Sequence, residues 1–189
     1  ERKLRKLGHR IIAGVDEAGR GPLAGPVVAS AVILNKNIKG IRDSKQLSSR
    51  RREELFPKII ANSIVGIGIV GESRIDESNI FKATARAMEM AVARLIVPPD
   101  YLLVDGLMSF SAACPMLNII KGDQKSISVA AASIIAKVTR DRIMVACDRF
   151  YPDYGFSQHK GYATKQHLVS LEKYGPSPLH RYTFKPIKK

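Results

Sequence analysis

The chain has 189 residues, 45% hydrophobic and 25% charged, an ordinary make-up for a globular protein and long enough for one well-cored domain. It contains no apolar run near the ~20 residues of a membrane-spanning helix, and its basic start, ERKLRKLGHR, lacks the apolar stretch of a signal peptide. Its formal net charge of +14, from 31 Lys and Arg against 17 Asp and Glu, points to a nucleic-acid partner, because such side chains displace the counterions condensed on phosphates. Two cysteines, Cys114 and Cys147, can build neither a disulfide framework nor a zinc site. Free thiols in a cytoplasmic monomer are expected.

In chain order, runs rich in Val and Ile at 10–15, 26–34 (PVVASAVIL) and 62–70 (NSIVGIGIV) predict three strands. Between the last two, SSRRREELFPKIIA predicts a helix with Ser48 or Ser49 as its N-cap. Residues 79–96 predict an amphipathic helix: Ile80, Ala83, Ala87, Ala91 and Leu95 keep one face, and Lys82, Arg86 and Glu89 the other. Pro98 and Pro99 stop it. YLLVD at 101–105 and MLNII at 116–120 predict two more strands. From residue 128, SVAAASIIAKVTRDRIMVACDRF predicts a long helix whose Ala-rich start can lie close on a sheet. The loop YGFSQHKGY precedes a last helix over 163–174. The order reads β-β-β, with one helix among these early elements, then α-β-α-β-α. That is an α/β fold with a mixed five-stranded sheet flanked by helices and ligands at the strand ends. No repeat or linker divides the chain, so a single domain over 1–189 is expected, its core spanning about 10–150 and a small helical C-terminal part following from 151.

The acids fall at telling places. Asp16 and Glu17 close the first strand, Asp105 ends the fourth in LVDG, and Asp123 follows the fifth in KGDQKS. Side by side, such strands would bring the acids together, and clustered carboxylates repel unless a cation sits among them. Hard oxygen donors favour Mg²⁺ or Mn²⁺, and a pair of such ions can activate water against a phosphodiester. Neighbours on a strand point to opposite faces, so Asp16 and Glu17 share a site only if the strand ends or bulges there, or if one acts through its carbonyl. GVDEAGRG at 14–21 has the glycine spacing of a P-loop but places Arg20 and Gly21 where lysine and a hydroxyl residue belong, which rules that motif out. His159, His167 and His180 lack zinc spacing and are assigned to phosphate contacts or packing. Asp141 and Arg142 are assigned to a surface pair, and Asp43 to a turn.

DEAGRGPLAGPVV at 16–28, DSKQLS at 43–48, LVDG at 103–106, KGDQKS at 121–126, AASIIAKVTRDR at 131–142, HKGYAT at 159–164 and GPSPLHR at 175–181 together resemble the type 2 ribonuclease H family, ribonuclease HII, in family order over nearly the whole chain. The resemblance implies a ribonuclease H-like fold and endonucleolytic hydrolysis of RNA in RNA–DNA hybrids and of single ribonucleotides embedded in duplex DNA. It implies two-metal-ion catalysis leaving 3′-hydroxyl and 5′-phosphate ends, with Asp16, Glu17, Asp105 and Asp123 as the metal site. It also implies that Gly19, Arg20 and Gly21 read the ribose 2′-OH through backbone groups, that Tyr162 stacks on the neighbouring sugar, and that Lys45 meets a phosphate. Glycines let a main chain approach closely, and the 2′-OH is what tells RNA from DNA. The alternative is an inactive module that only binds hybrid duplex.

Overall fold

The computed structural model describes residues 1–41 and 47–187; Asp43 and Lys45 lie outside the described residues. A short helix α1 (Arg2–Lys6) leads into β1 (Ile12–Ala18), β2 (Val27–Leu34), α2 (Ser49–Ala61), β3 (Ser63–Val70), α3 (Glu72–Glu77) and α4 (Ile80–Ala93). Then follow β4 (Tyr101–Asp105), β5 (Met116–Ile119), α5 (Gly122–Lys125) and the 22-residue α6 (Ile127–Asp148). A 3₁₀ turn (Pro152–Tyr154), α7 (Phe156–His159) and α8 (Lys165–Tyr174) complete the chain. The five strands form one sheet in the order β3-β2-β1-β4-β5. β1–β2 and β2–β3 are antiparallel, whereas β1–β4 and β4–β5 are parallel.

The four longest helices begin where a side chain takes up a free N–H group. Ser48 accepts from the Arg51 N–H, Asn79 from Lys82, Ser126 from Val129 and Thr164 from His167. α4 lies on one sheet face, its Ala83, Ala87, Met88 and Ala91 packed against Ala13, Val15, Ala29 and Ala31. On the other face, Ala130 to Ile135 of α6 meet Val32 and the Leu55 and Ile59 of α2. The two faces bury apolar side chains from a common sheet, the layer solution expected of an α/β chain.

The helix expected between the last two strands is absent. Residues 106–115 cross from β4 to β5 without regular structure, because a helical crossover needs a dozen or more residues. Met108 and Phe110 in this segment are buried and join the α4-side core.

Close approach of α6 to β1 depends on Gly14. A Cβ there would stand 2.1 Å from the Ser128 carbonyl carbon and 2.2 Å from the Val129 nitrogen, both main-chain atoms that cannot swing aside.

The C-terminal segment folds back over residues 19–26. Ala24 bridges His180, the Gly25 N–H donates to the Leu179 carbonyl at 2.9 Å, and the Arg181 N–H donates to the Leu23 carbonyl at 2.8 Å. Inside this segment His159, His167 and His180 are buried together, His159 and His167 stacked with ring centroids 4.4 Å apart. His180 Nδ1 accepts the Ser177 N–H, so its Nε2–H donates to His167 Nε2 at 3.0 Å, and His167 Nδ1–H donates to the Tyr162 carbonyl at 2.9 Å. His159 accepts the Gly161 N–H at Nδ1 and donates from Nε2 to the Tyr154 carbonyl. The three rings are therefore neutral and serve packing, not phosphate contacts. Burial pushes His180 down to about 4, with the neighbouring His167 adding to it, and lowers His167 as well.

Two outcomes follow. His180 binds its proton more weakly folded than unfolded, so its share of stability is complete above the ordinary histidine value and drains away as pH falls from about 6.5 towards 4. In urea titrations at pH 7 and pH 5, wild type is expected to lose about 2 kcal/mol more than His180→Asn over that interval. Gly14→Ala is expected to cost about 3 kcal/mol or more of unfolding free energy. Gly21→Ala, whose Cβ meets only the Tyr162 ring at 3.9 Å, should stay within about 1 kcal/mol of wild type.

Candidate active site

The parallel pairing of β1 with β4 runs from Ile12↔Tyr101 to Val15↔Val104, so Asp16 and Asp105 are the next residues along two adjacent strands. They stand side by side just past the point where the pairing of the two strands stops. β1 does not end at the acid pair, as the sequence suggested. It continues to Ala18, paired on one side with β2 through Asp16↔Ser30 and Glu17↔Ala29. On the β4 side its pairing stops at Val15, and a cleft opens at that edge. Pleating sends Asp16 and Glu17 to opposite faces of the sheet, yet both line this cleft because the sheet is discontinuous there.

Asp16 is 2% exposed, and its Oδ1 accepts the Glu17 N–H at 2.8 Å. Burial holds its carboxyl well above the usual carboxylate range, and repulsion from Glu17 and Asp105 pushes the same way; Ser133 and the Glu17 N–H offset this in part. Its buried Oδ2 has no hydrogen bond of ordinary geometry among the described residues. Glu17 Oε1 lies 3.4 Å from Arg20 Nη1.

Asp123 comes from a different element from the other three. It sits in the first turn of α5 and is 1% exposed, bordering a neighbouring cavity of about 790 Å³ with Glu1 and Ser126. Its neighbour Gly122 ties the turn to the cleft, donating its N–H to Asp105 Oδ1 at 2.6 Å. Among the described residues no group of three or more His, Cys, Asp or Glu side chains is drawn together closely enough to hold a metal ion as it stands.

The cleft itself encloses about 480 Å³. Asp16, Glu17 and Asp105 form one wall, and Gly19, Arg20, Gly21 and Tyr162 form another. Tyr162 is 42% exposed and sits 5.5 Å from Lys137 Nζ and 5.8 Å from Arg140 Cζ, measured to its ring centroid. Arg20 is turned back: its guanidinium lies 4.8 Å over the Phe81 ring besides meeting Glu17. Lys45 lies outside the described residues.

Three cleft residues, Arg52, Ser133 and Lys137, were not foreseen from the sequence. Ser133 and Lys137 are four apart on α6 and so share a face, a spacing visible in AASIIAKVTRDR. Lys137 Nζ is held by Asp141 Oδ1 at 2.7 Å, while Arg142 pairs with Glu53 at 2.5 Å. The expected pair of Asp141 with Arg142 is thereby replaced by two others, because consecutive helix residues do not face each other.

A sequence model described as ribonuclease HII matches residues 13–187. A ribonuclease HII of Enterococcus faecalis is 55% identical over 97% of this chain and 72% of its own length. One from Rhizobium etli is 54% identical over all of this chain and 84% of its own. Among solved structures, the ribonuclease H2 of Pyrococcus horikoshii OT3 superposes with a TM-score of 0.80 at 31% identity, covering 94% of this chain and 95% of that one. With acids gathered at the ends of adjacent strands and likeness running almost end to end, the chain belongs to the ribonuclease HII family, metal-dependent endoribonucleases that act on the RNA of RNA–DNA hybrids.

Proposed function

We propose that the cleft between β1, β4 and α6 is the catalytic centre, and that the enzyme cuts on the 5′ side of ribonucleotides embedded in duplex DNA as well as within longer RNA tracts. The observation that carries this is the shared cleft: Asp16, Glu17 and Asp105 line it together with the Gly19–Arg20–Gly21 segment and Tyr162. Acids that could organise phosphodiester hydrolysis thus stand beside groups that could read a ribose.

The donor set fits a divalent cation. Burying Asp16 against Glu17 and Asp105 disfavours its ionised form, and a cation among them would reverse that penalty. Asp16, Glu17, Asp105 and, from the adjoining turn, Asp123 would hold Mg²⁺ or Mn²⁺. An open set of carboxylates suits Mg²⁺, which keeps several waters and takes phosphate oxygens as ligands in place of a closed protein cage. When bound, the metal supplies a Lewis acid that activates water and offsets charge on the phosphate, leaving 3′-hydroxyl and 5′-phosphate ends.

The chain's own residues do the rest. Lys137 and Arg52 place positive charge at the cleft, where an incoming phosphate loses its counterions. Asp141 holds the Lys137 ammonium at 2.7 Å and limits its freedom beside the cleft. Tyr162 lies beside Gly21, so a sugar resting on its ring would lie next to the loop. The segment from residue 151 onward is read as a substrate-contacting wall of the same unit.

Asp105→Asn removes one negative ligand while leaving an oxygen that can still accept the Gly122 N–H. It is expected to lower cleavage about 100-fold or more. Binding of a fluorescent RNA–DNA hybrid should stay within about threefold, since counterion release at phosphates dominates affinity. The activity is read on one labelled duplex in three forms: all DNA, one embedded ribonucleotide, and a full hybrid, each with Mg²⁺ or EDTA. Metal-dependent cutting 5′ of the lone ribonucleotide, with all-DNA intact, is the expected result. Wild-type protein that binds hybrid but cuts nothing with either metal would identify an inactive binding module instead.

A further inference from the structure

Two arginines, Arg140 and Arg181, are the largest fully buried side chains of the molecule. Arginine is almost never fully buried without a partner for its charge. Here every hydrogen bond described for the two guanidiniums ends on a main-chain carbonyl. Arg140 donates to Pro26, Ala24 and Lys160 at 2.9 to 3.0 Å. Arg181 donates from Nη2 to Gly19 at 2.6 Å, from Nη1 to Arg20 at 3.1 Å, and from Nε and Nη2 to Gly25 at 3.0 and 2.7 Å. Glu72 and Asp76 are the nearby acids whose charge favours the Arg181 cation.

The carbonyls that Arg181 grips belong to the loop proposed to meet the ribose. A trans peptide is planar, with its C=O and N–H pointing in opposite directions. Holding the Gly19 and Arg20 carbonyls inward therefore turns the N–H groups of Arg20 and Gly21 the other way. Neither of those N–H groups has an acceptor among the described residues, and both residues line the cleft. Gly19 makes the turn possible at φ +100, and a Cβ there would strike Arg140 Nε at 2.2 Å. The loop is thus clamped from behind by two buried cations, and its donors face outward.

We infer that Arg181 is a positioning residue for ribose discrimination: by fixing the Gly19 and Arg20 carbonyls it aims the Arg20 and Gly21 N–H groups at the 2′-OH of the substrate. The inference rests on the loop's role in the function proposed above. Arg181 touches no substrate atom. Its four hydrogen bonds need the planar fork of a guanidinium, which the single ammonium of lysine cannot reproduce.

The test separates contacts to the 2′-OH from all others. KM is measured in Mg²⁺ for a duplex with one embedded ribonucleotide, and Ki for the same duplex in all-DNA form as competitor, with thermal unfolding recording the folded fraction. Arg181→Lys is expected to raise KM about tenfold while leaving Ki within about twofold, as loss of one well-aimed polar contact would do. Should that variant fold poorly, Phe184→Leu keeps Arg181 but removes the ring on which its guanidinium rests at 5.0 Å. It is expected to raise the same KM about threefold with Ki unmoved. KM and Ki rising together, or a fall in kcat alone, would mean a structural role only and overturn the inference. A wild-type KM no lower than Ki would show that the loop itself does not read the ribose, a separate failure that removes the function assigned to the loop.

Discussion

The packing of α6 on β1 is the constraint from which the site follows. Because Gly14 leaves no room for a side chain, the helix backbone lies directly on the strand, and the positions of its later residues are set to within a small tolerance. Three residues spaced over about two turns of α6 then act in succession. Ser133 lies by the Asp16 carboxyl, Lys137 reaches the open edge, and Arg140 clamps the carbonyls of Ala24, Pro26 and Lys160. A helix is stiff and rises a fixed distance per residue, so one close contact near its start aligns all three. Loops could not hold acid, cation and clamp in such registry.

Electrostatics in this molecule is arranged by burial rather than by pairing. The surface ion pairs, such as Arg74 with Glu77 and Arg50 with Glu54, are exposed and worth little individually. The consequential charges are inside. Asp16 is crowded by like charges at the sheet edge, and Arg140 and Arg181 are satisfied by peptide dipoles a few residues further along the chain. Both arrangements would be costly in isolation. Their opposite signs set buried negative charge a few residues from the carbonyls that hold buried positive charge, within a chain of net charge +14. Neutral histidines complete the pattern by holding the Tyr162 carbonyl without adding charge.

Much of the framework could be read from residue patterns. Short apolar runs, the first three rich in Val and Ile, marked all five strands, and the Ala-rich start of α6 announced a helix that lies close to a sheet. Asp16 and Asp105 were recognisable as neighbours once the strands were taken to be adjacent. Strand order was not legible, because pairing is decided by tertiary contacts and any of several orders satisfies the same hydrophobic pattern. The missing helix between β4 and β5 went wrong for a related reason: alternation is a tendency of whole folds, while the segment 106–115 is simply too short. Asp123 follows β5 in a turn that begins at Lys121, whose φ of 56 no local pattern predicts, so its place relative to the other acids could not be read from the sequence. The buried arginines were invisible altogether. In a chain this basic, Arg140 and Arg181 look like two more surface charges, since nothing in their neighbours encodes a set of carbonyls contributed by a distant loop.

If the loop reads the ribose as proposed, that distance accounts for how small residues could be selective. The Arg20 side chain is occupied with Glu17 and Phe81, so the part of the loop left to face a ribose is its main chain. Main-chain donors discriminate well only if their direction is fixed, because a free peptide can rotate to suit a deoxyribose or water equally. Gly19 gives the turn but also the greatest freedom to lose. Three carbonyls held by one guanidinium remove that freedom from the far end of the sequence, and the strand-like contacts of Leu23 and Gly25 with residues 179–181 keep the guanidinium in place. On the function proposed above, selectivity for the 2′-OH is a property of two segments about 160 residues apart, and neither the loop nor the C-terminal segment holds it alone.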